Sequence, residues 1–243
     1  MAPPCDMDDE VGEAISAFKS GRPVMIYDSD YREMETDLLW HAAAATPEVI
    51  RRLRNDCGGL LFLAIGDEIG EMFGLPWLQD IHSHKSLVEE NPVLGHLVTN
   101  DLQYDSRSAF TLSLNHRETY TGITDRDRSL TTRRFGELSG ELLEEDENGD
   151  RAKERLGKEF RTPGHIPVCR ESPGGLKTRQ GHTELAVSIA RLAGLTACTI
   201  GAEMLEPEGD GALSLEGARA YADTHGIPII TGEQISAIFS EKG

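Results

Sequence analysis

Basic charge is what this sequence has least of. Its 243 residues carry 24 Lys and Arg against 42 Asp and Glu, for a formal net charge of −18. Such a field repels phosphate backbones and argues against a nucleic-acid partner. Only six of the basic residues are Lys. An acidic, lysine-poor surface resembles that of proteins in a very salty cytoplasm, where salt screens self-repulsion; the plainer reading is a soluble acidic protein. No apolar run approaches the roughly 20 residues of a membrane span, so no membrane contact is expected. The N-terminus, MAPPCDMDDEVGE, lacks a basic n-region and reads as no signal peptide. Four cysteines (Cys5, Cys57, Cys169, Cys198) form no C-x-x-C pair. That excludes a zinc ribbon or disulfide framework and points to a reduced, cytoplasmic protein. No G-x-G-x-x-G opens a helix, and in GGLKT (174–178) Leu176 stands where a phosphate loop needs glycine. Nucleotide binding therefore has little support.

What is present is enough for a core. Hydrophobic residues are 38% of the chain, too many for a disordered protein. Residues 1–9 read as a frayed tail and EVGEAISAFK (10–19) as a helix. PVMIYD (23–28), LLFLAI (60–65), AFTLSLNH (109–116), LTACTIGAEML (195–205) and IPIIT (227–231) read as strands. TPEVIRRLRNDCGG (46–59) has Thr46 as N-cap, Pro47 at the first helical position and closing glycines. DEIGEMFG (67–74), SLTTRRFGEL (129–138), HTELAVSIARLAG (182–194) and SLEGARAYADTHG (214–226) read as further helices. ELLEEDENGD (141–150), with six acids, reads as a solvated insertion or loop. Interleaved strands and helices without a repeat or linker predict one α+β domain with a mixed sheet, spanning 10–243.

Three stretches carry chemistry. In YREMETD (31–37), an extended backbone would project Glu33, Glu35 and Asp37 to one face. Grouped carboxylates repel unless a cation or Arg neutralises them, and their hard oxygens suit Mg²⁺ or Mn²⁺. An exposed acidic loop is the alternative. In RQGHTE (179–184), a glycine-bearing loop runs into a helix near His182 and Thr183. Free N–H groups and the helix dipole make an anion site there, with Arg179 as a phosphate donor and His182 as a metal ligand. Ordinary capping by Thr183 is compatible with this. In RTPGH (161–165), Pro-Gly would present His165 from a constrained loop as an acid or base; alone, a surface His is the stronger reading. Glu203, in TIGAEML, is either buried and paired or poised for proton chemistry with a raised pKa. DIHSH (80–84) holds two histidines without an apparent third ligand and reads as surface.

These pieces occur together in one family. D-x-D-x-R-E-x-E-x-D at Asp28–Asp37, YTGITDRDR at Tyr120–Arg128, TPGH at Thr162–His165, RQGHTE at Arg179–Glu184 and Glu203 follow that family's order. The chain resembles 3,4-dihydroxy-2-butanone 4-phosphate synthases of riboflavin biosynthesis, in their archaeal-type single-domain form, from about residue 10 to 240. The resemblance implies a lyase that takes D-ribulose 5-phosphate to the four-carbon phosphate and formate, using Mg²⁺ or Mn²⁺ and no organic cofactor. It implies a homodimer with active sites near the subunit interface. By position, Glu33 and His182 match metal ligands, and His165 and Glu203 match the catalytic residues. Arg32, Glu33, Asp37, Thr121, Asp127, Arg161, Arg179, Gln180, Gly181, His182, Thr183 and Glu203 match the substrate pocket. Thr36, Phe62 and Thr162 depart from the bacterial pattern, and the region 139–158 is longer and more acidic. No guanosine-nucleotide hydrolase domain is expected after IPIIT. Two other readings use the same residues: a metal-dependent sugar-phosphate isomerase or aldolase, and a non-catalytic sugar-phosphate sensor. The sensor has no need for His165 and Glu203 together.

Overall fold

The strands are short and apolar on both faces, so they need helices on both sides. A computed structural model, describing residues 7–146 and 149–241, shows that arrangement. Strands β1 (Val24–Tyr27), β2 (Thr36–His41), β3 (Phe62–Ile65), β4 (Phe110–His116), β5 (Phe160–Arg170), β6 (Cys198–Glu203) and β7 (Ile229–Thr231) form one sheet in the order β4-β5-β3-β6-β2-β1-β7. The sheet is mixed, with β1/β7 and β3/β5 parallel and the other four pairs antiparallel. The chain is a single α+β domain, as its residue patterns predict.

Alternation along the strands sorts the core into two layers. Met25, Leu38, Leu63, Ile65 and Ile200 point to one face. There they meet α2 (Pro47–Asp56), α3 (Asp67–Phe73), α7 (Asp125–Glu144), α8 (Gly149–Glu159) and α10 (Leu215–His225). Val24, Ile26, Leu39 and Ala64 point to the other, against α1 (Met7–Lys19), α9 (His182–Leu192) and α11 (Gly232–Glu241). Three short helices, α4 (Leu78–His82), α5 (Lys85–Glu90) and α6 (Val93–His96), lead into an irregular segment before β4. Among the described residues no helix is long and apolar enough to cross a membrane.

Local signals place most boundaries. Thr46 caps α2 by accepting from the Val49 N–H, Ser214 caps α10 by accepting from Gly217, and Gly74 and Gly226 close α3 and α10 in the left-handed conformation. Two expectations need correction. Helix α1 already begins at Met7 inside the expected tail, whose residues 1–6 lie outside the described ones. The acidic stretch 141–150, expected as an insertion or loop, is largely helical at its described residues: it takes in the end of α7 and the start of α8, with Leu142 wholly buried. Arginine meets part of the repulsion among its acids: Arg155 reaches Glu141 at 2.6 Å and Glu145 at 3.3 Å, and Arg134 reaches Glu141 at 3.3 Å.

Candidate active site

The β1–β2 connection builds the first part of the site. YREMETD is not extended: residues 28–35 turn back between the strands, with Met34 at φ 57. Asp28, at the end of β1 and 3% exposed, organises the turn. Its Oδ2 accepts from the Glu33 N–H at 2.8 Å and its Oδ1 from Glu35 at 3.0 Å. The turn sends Glu33 and Asp37 to one histidine and leaves Glu35 aside. Glu35, half-buried, has its pKa raised by burial.

That histidine is His182, the first residue of α9. Its Nδ1 lies 3.0 Å from Oδ2 of Asp37, and its Nε2 lies 3.2 Å from Glu33 and 3.7 Å from Asp28. Both ring nitrogens are buried and lack an aligned hydrogen-bond partner, as do both Asp37 oxygens. Burial opposes charge on the imidazole, but the carboxylates of Asp37 and Glu33 hold its pKa well above the ordinary value. Ligand atoms of Asp28, Glu33 and His182 all lie within 4.8 Å of one another. Two carboxylates and an imidazole at that spacing fit a divalent cation.

Strand pairing adds Glu203. Asp37 on β2 stands opposite Glu203 on β6, so two carboxyls share one edge of the sheet. Burial and then the Asp37 charge raise Glu203 to about 7. Its Oε2 accepts from the Leu60 N–H at 2.7 Å. Gly59 packs beneath it: a Cβ there would lie 2.5 Å from Glu203 Oε2 and 2.6 Å from its carbonyl oxygen. The loop before α9 brings the cations. Arg179 donates to Glu184 at 2.5 Å and reaches Asp105 at 2.8 Å; Arg32 reaches the same Asp105 oxygen at 2.9 Å. Glu184 is fully buried and also accepts from the Ser172 N–H at 2.8 Å, which pins the loop from both ends. The cap of α9 is Gly181, without a side-chain bond; Thr183 is buried and does not cap. A Cβ on Gly181 would collide with the Arg179 guanidinium. Gln180 is exposed. Glu33, Asp105, Arg179, His182, Thr183 and Glu203 line one cavity of about 230 Å³, walled by Phe62 and Cys169.

A second group sits on β4 and β5. RTPGH is not a loop between elements but an irregularity inside β5. Pairing jumps from Leu114↔Ile166 to Asn115↔Arg161, which expels residues 162–165 from the ladder. The Thr162–Pro163 bond is cis, and Gly164 passes so close to the Leu114 backbone that no Cβ fits. Exposed His165 is held by Asn115. Its N–H donates to Asn115 Oδ1 at 2.8 Å, and the Asn115 amide nitrogen lies 3.1 Å from His165 Nδ1. With the amide oriented by the backbone, neutral His165 carries its proton on Nε2, facing outward. Asp127 accepts from the N–H groups of Gly122 and Thr121 at 2.8 and 3.1 Å. Against the upward push of burial, those bonds lower its pKa. Arg161 donates to the carbonyls of His116 and Arg117 and to Thr119, so its donors shape that turn. Tyr120, Asp127 and Arg51 line a separate cavity of about 600 Å³. His165 does not line the cavity that holds Glu203.

His82 and His84 are exposed and join no cluster among the described residues. A further cavity of about 430 Å³ beside Arg191 holds no free charge from that arginine, which meets Glu68 and Glu171 at 2.6 Å each. Asp28, Gly59, Asp105, Asn115 and Glu184 are the site residues that residue patterns did not single out. Asp28 and Glu184 had a signal, as the first and last acids of their motifs, and Gly59 appeared only as a helix stop.

The family model described as 3,4-dihydroxy-2-butanone 4-phosphate synthase matches residues 12–238. A synthase of that name from Methanothermobacter thermautotrophicus is 38% identical, covering 95% of this chain and 96% of the relative. One from Archaeoglobus fulgidus is 40% identical, covering 92% and 91%. A crystal structure of such a synthase in complex with two magnesium ions superposes with a TM-score of 0.71 at 25% identity, covering 95% of this chain and 96% of that one. The chain belongs to the 3,4-dihydroxy-2-butanone 4-phosphate synthase family, lyases of riboflavin biosynthesis.

Proposed function

We propose that the chain converts D-ribulose 5-phosphate to L-3,4-dihydroxy-2-butanone 4-phosphate and formate in the cytoplasm. One observation carries this reading: Glu33 and His182 of the His–carboxylate trio, Arg179, and a carboxyl, Glu203, with its pKa raised to about 7 line one small cavity. Asp28, Glu33 and His182 would hold Mg²⁺ or Mn²⁺, and the orphaned His182 nitrogens fit that role. Such an ion supplies Lewis-acid stabilisation of charge on adjacent sugar oxygens. The reading needs no organic cofactor.

The protein's own groups do the rest. Arg179, Gln180, Gly181 and Thr183, at the N-terminus of α9, bind the phosphate and anchor the substrate through successive rearrangements. Glu33 and Asp37 take sugar hydroxyls, and Arg32 is a further substrate contact. Glu203 and His165 share the proton transfers that remove the C3 proton and assist loss of the C1 hydroxyl. A skeletal shift, hydration and loss of C4 as formate follow. His165 reaches this chemistry in a homodimer, in which the group around His165, Arg161, Thr121 and Asp127 of one protomer completes the group around Glu203 of its partner.

The test is carbon NMR of purified protein with labelled ribulose 5-phosphate at high salt, with Mg²⁺ or with chelator. Formate from C4 and a four-carbon phosphate, both lost under chelation, is the expected result. An isomerised pentose or a triose would replace this reading with an isomerase or aldolase.

A further inference from the structure

Asp105 occupies an unusual position. The segment around it has no regular structure, and residues 100–104 are exposed. Asp105 turns inward after them, its side chain 15% exposed. Its Oδ2 takes two guanidinium groups from separate elements, Arg32 of the β1–β2 turn at 2.9 Å and Arg179 of the loop before α9 at 2.8 Å. Neighbouring Tyr104 lies under Arg32, 5.7 Å from guanidinium carbon to ring centroid. Leu102, Asp105 and Ser108 line the cavity with Glu33 and His182.

The two arginines are not saturated by this arrangement. Nε of Arg32 and Nε of Arg179 are buried and bond to nothing. Arg179 also pairs with Glu184 at 2.5 Å, whereas the other carboxylate near Arg32 among the described residues is Glu33, at 3.7 Å. One carboxylate oxygen bridging two forks, with unused donors on both, is a poor match for guanidinium geometry. A phosphoryl group, with three oxygens, uses such donors better.

We propose that Asp105 is an internal counter-ion standing where an anionic group of the substrate binds, and that the substrate displaces it. The segment 100–108 then acts as a strap: shut on the arginines when the site is empty, released when an anion takes its place. In a chain of net charge −18, a resident carboxylate also keeps the paired cations from holding adventitious anions. This inference rests on the assignment of Arg32 and Arg179 to substrate binding.

Titration calorimetry of the full chain with inorganic phosphate, in chelator at fixed salt, tests it. Removing the competitor should tighten phosphate binding about tenfold in Asp105→Asn, and at least as much in Asp105→Ala, the scale of one charge-assisted hydrogen bond. Phosphate should speed hydrogen exchange across 100–108 in the wild type, and Asp105→Asn should exchange fast without it. Unchanged or weaker binding in both variants overturns the proposal and makes Asp105 a residue that merely positions the arginines. So does absence of phosphate binding in all three proteins. Formate release, measured separately, keeps the two readings apart. Tighter phosphate binding without formate leaves the strap and removes the synthase chemistry; formate without tighter binding does the reverse.

Discussion

Glu203→Gln should make the protein less sensitive to rising pH. Glu203 has its pKa raised from the ordinary 4.5 to about 7 by burial and by Asp37 beside it. A carboxyl raised on folding binds its proton more tightly in the folded state. Its contribution to stability is therefore fully present below pH 4.5 and is lost as pH climbs through about 7. A shift of that size corresponds to roughly 3 kcal/mol at about 1.4 kcal/mol per pH unit, as an upper figure because Asp37 and Glu203 share the effect. Gln has nothing to lose and keeps an oxygen for the Leu60 N–H. Thermal unfolding of both proteins between pH 4.5 and 8, in chelator and at constant ionic strength, reads the difference. The variant should gain on the wild type as pH rises, by up to about 6–12 °C in Tm for a chain of this size, with most of the gain between pH 5 and 7.5. A difference that stays flat with pH would refute the argument that desolvation and Asp37 govern this carboxyl.

Four further outcomes follow from the geometry. Glu33→Gln should abolish the rise in Tm that saturating Mg²⁺ gives the wild type, about 2.7 kcal/mol at a hundredfold excess over Kd; an undiminished rise would remove Glu33 from the metal site. Gly59→Ala should cost about 1–3 kcal/mol by overpacking against Glu203, read by denaturant unfolding, and should lower formate release more than Tm suggests. His165→Ala should abolish formate release and leave Tm within a degree or two, since the side chain is exposed; calorimetry with inorganic phosphate should be unaltered. Mixing refolded His165→Ala and Glu203→Ala chains should restore about a quarter of wild-type turnover if each site draws on two protomers of a two-fold dimer; no restoration would confine the site to one chain.

Much of the fold was legible because its signals are local. Thr46, Ser214 and the closing glycines mark helix ends through bonds within four residues. The strands announce themselves as apolar runs bounded by turn residues. What failed were segments whose state depends on distant partners. The acids of 141–150 look like a loop until Arg134 and Arg155 neutralise them along two packed helices. YREMETD alternates like a strand, but Asp28 claims the N–H groups of Glu33 and Glu35 and folds it into a turn. The candidate-site residues named from sequence were those inside motifs. Asp105 and Asn115 escaped because each acts on motif residues from elsewhere in the chain, through contacts that no spacing encodes. Gly59 was seen only as a helix stop; its closeness to Glu203 follows from the sheet.

The same contrast explains how so acidic a chain can take an anionic substrate. Its overall field opposes phosphate at long range, and salt weakens that field over about 10 Å or less. Within the cavity the balance is set by neighbours a few ångströms apart. Glu33, Asp37 and Asp28 concentrate negative charge on His182, on the side suited to a cation. Arg179 lines the same 230 Å³ cavity and is joined through Asp105 to Arg32, which lies 3.7 Å from Glu33. A sugar phosphate has the matching polarity: hydroxyl and carbonyl oxygens that a metal can hold at one end, and a dianion at the other. In the function proposed above, the division of charge within the cavity, rather than the sum over the chain, would orient the molecule with its reacting carbons beside Glu203.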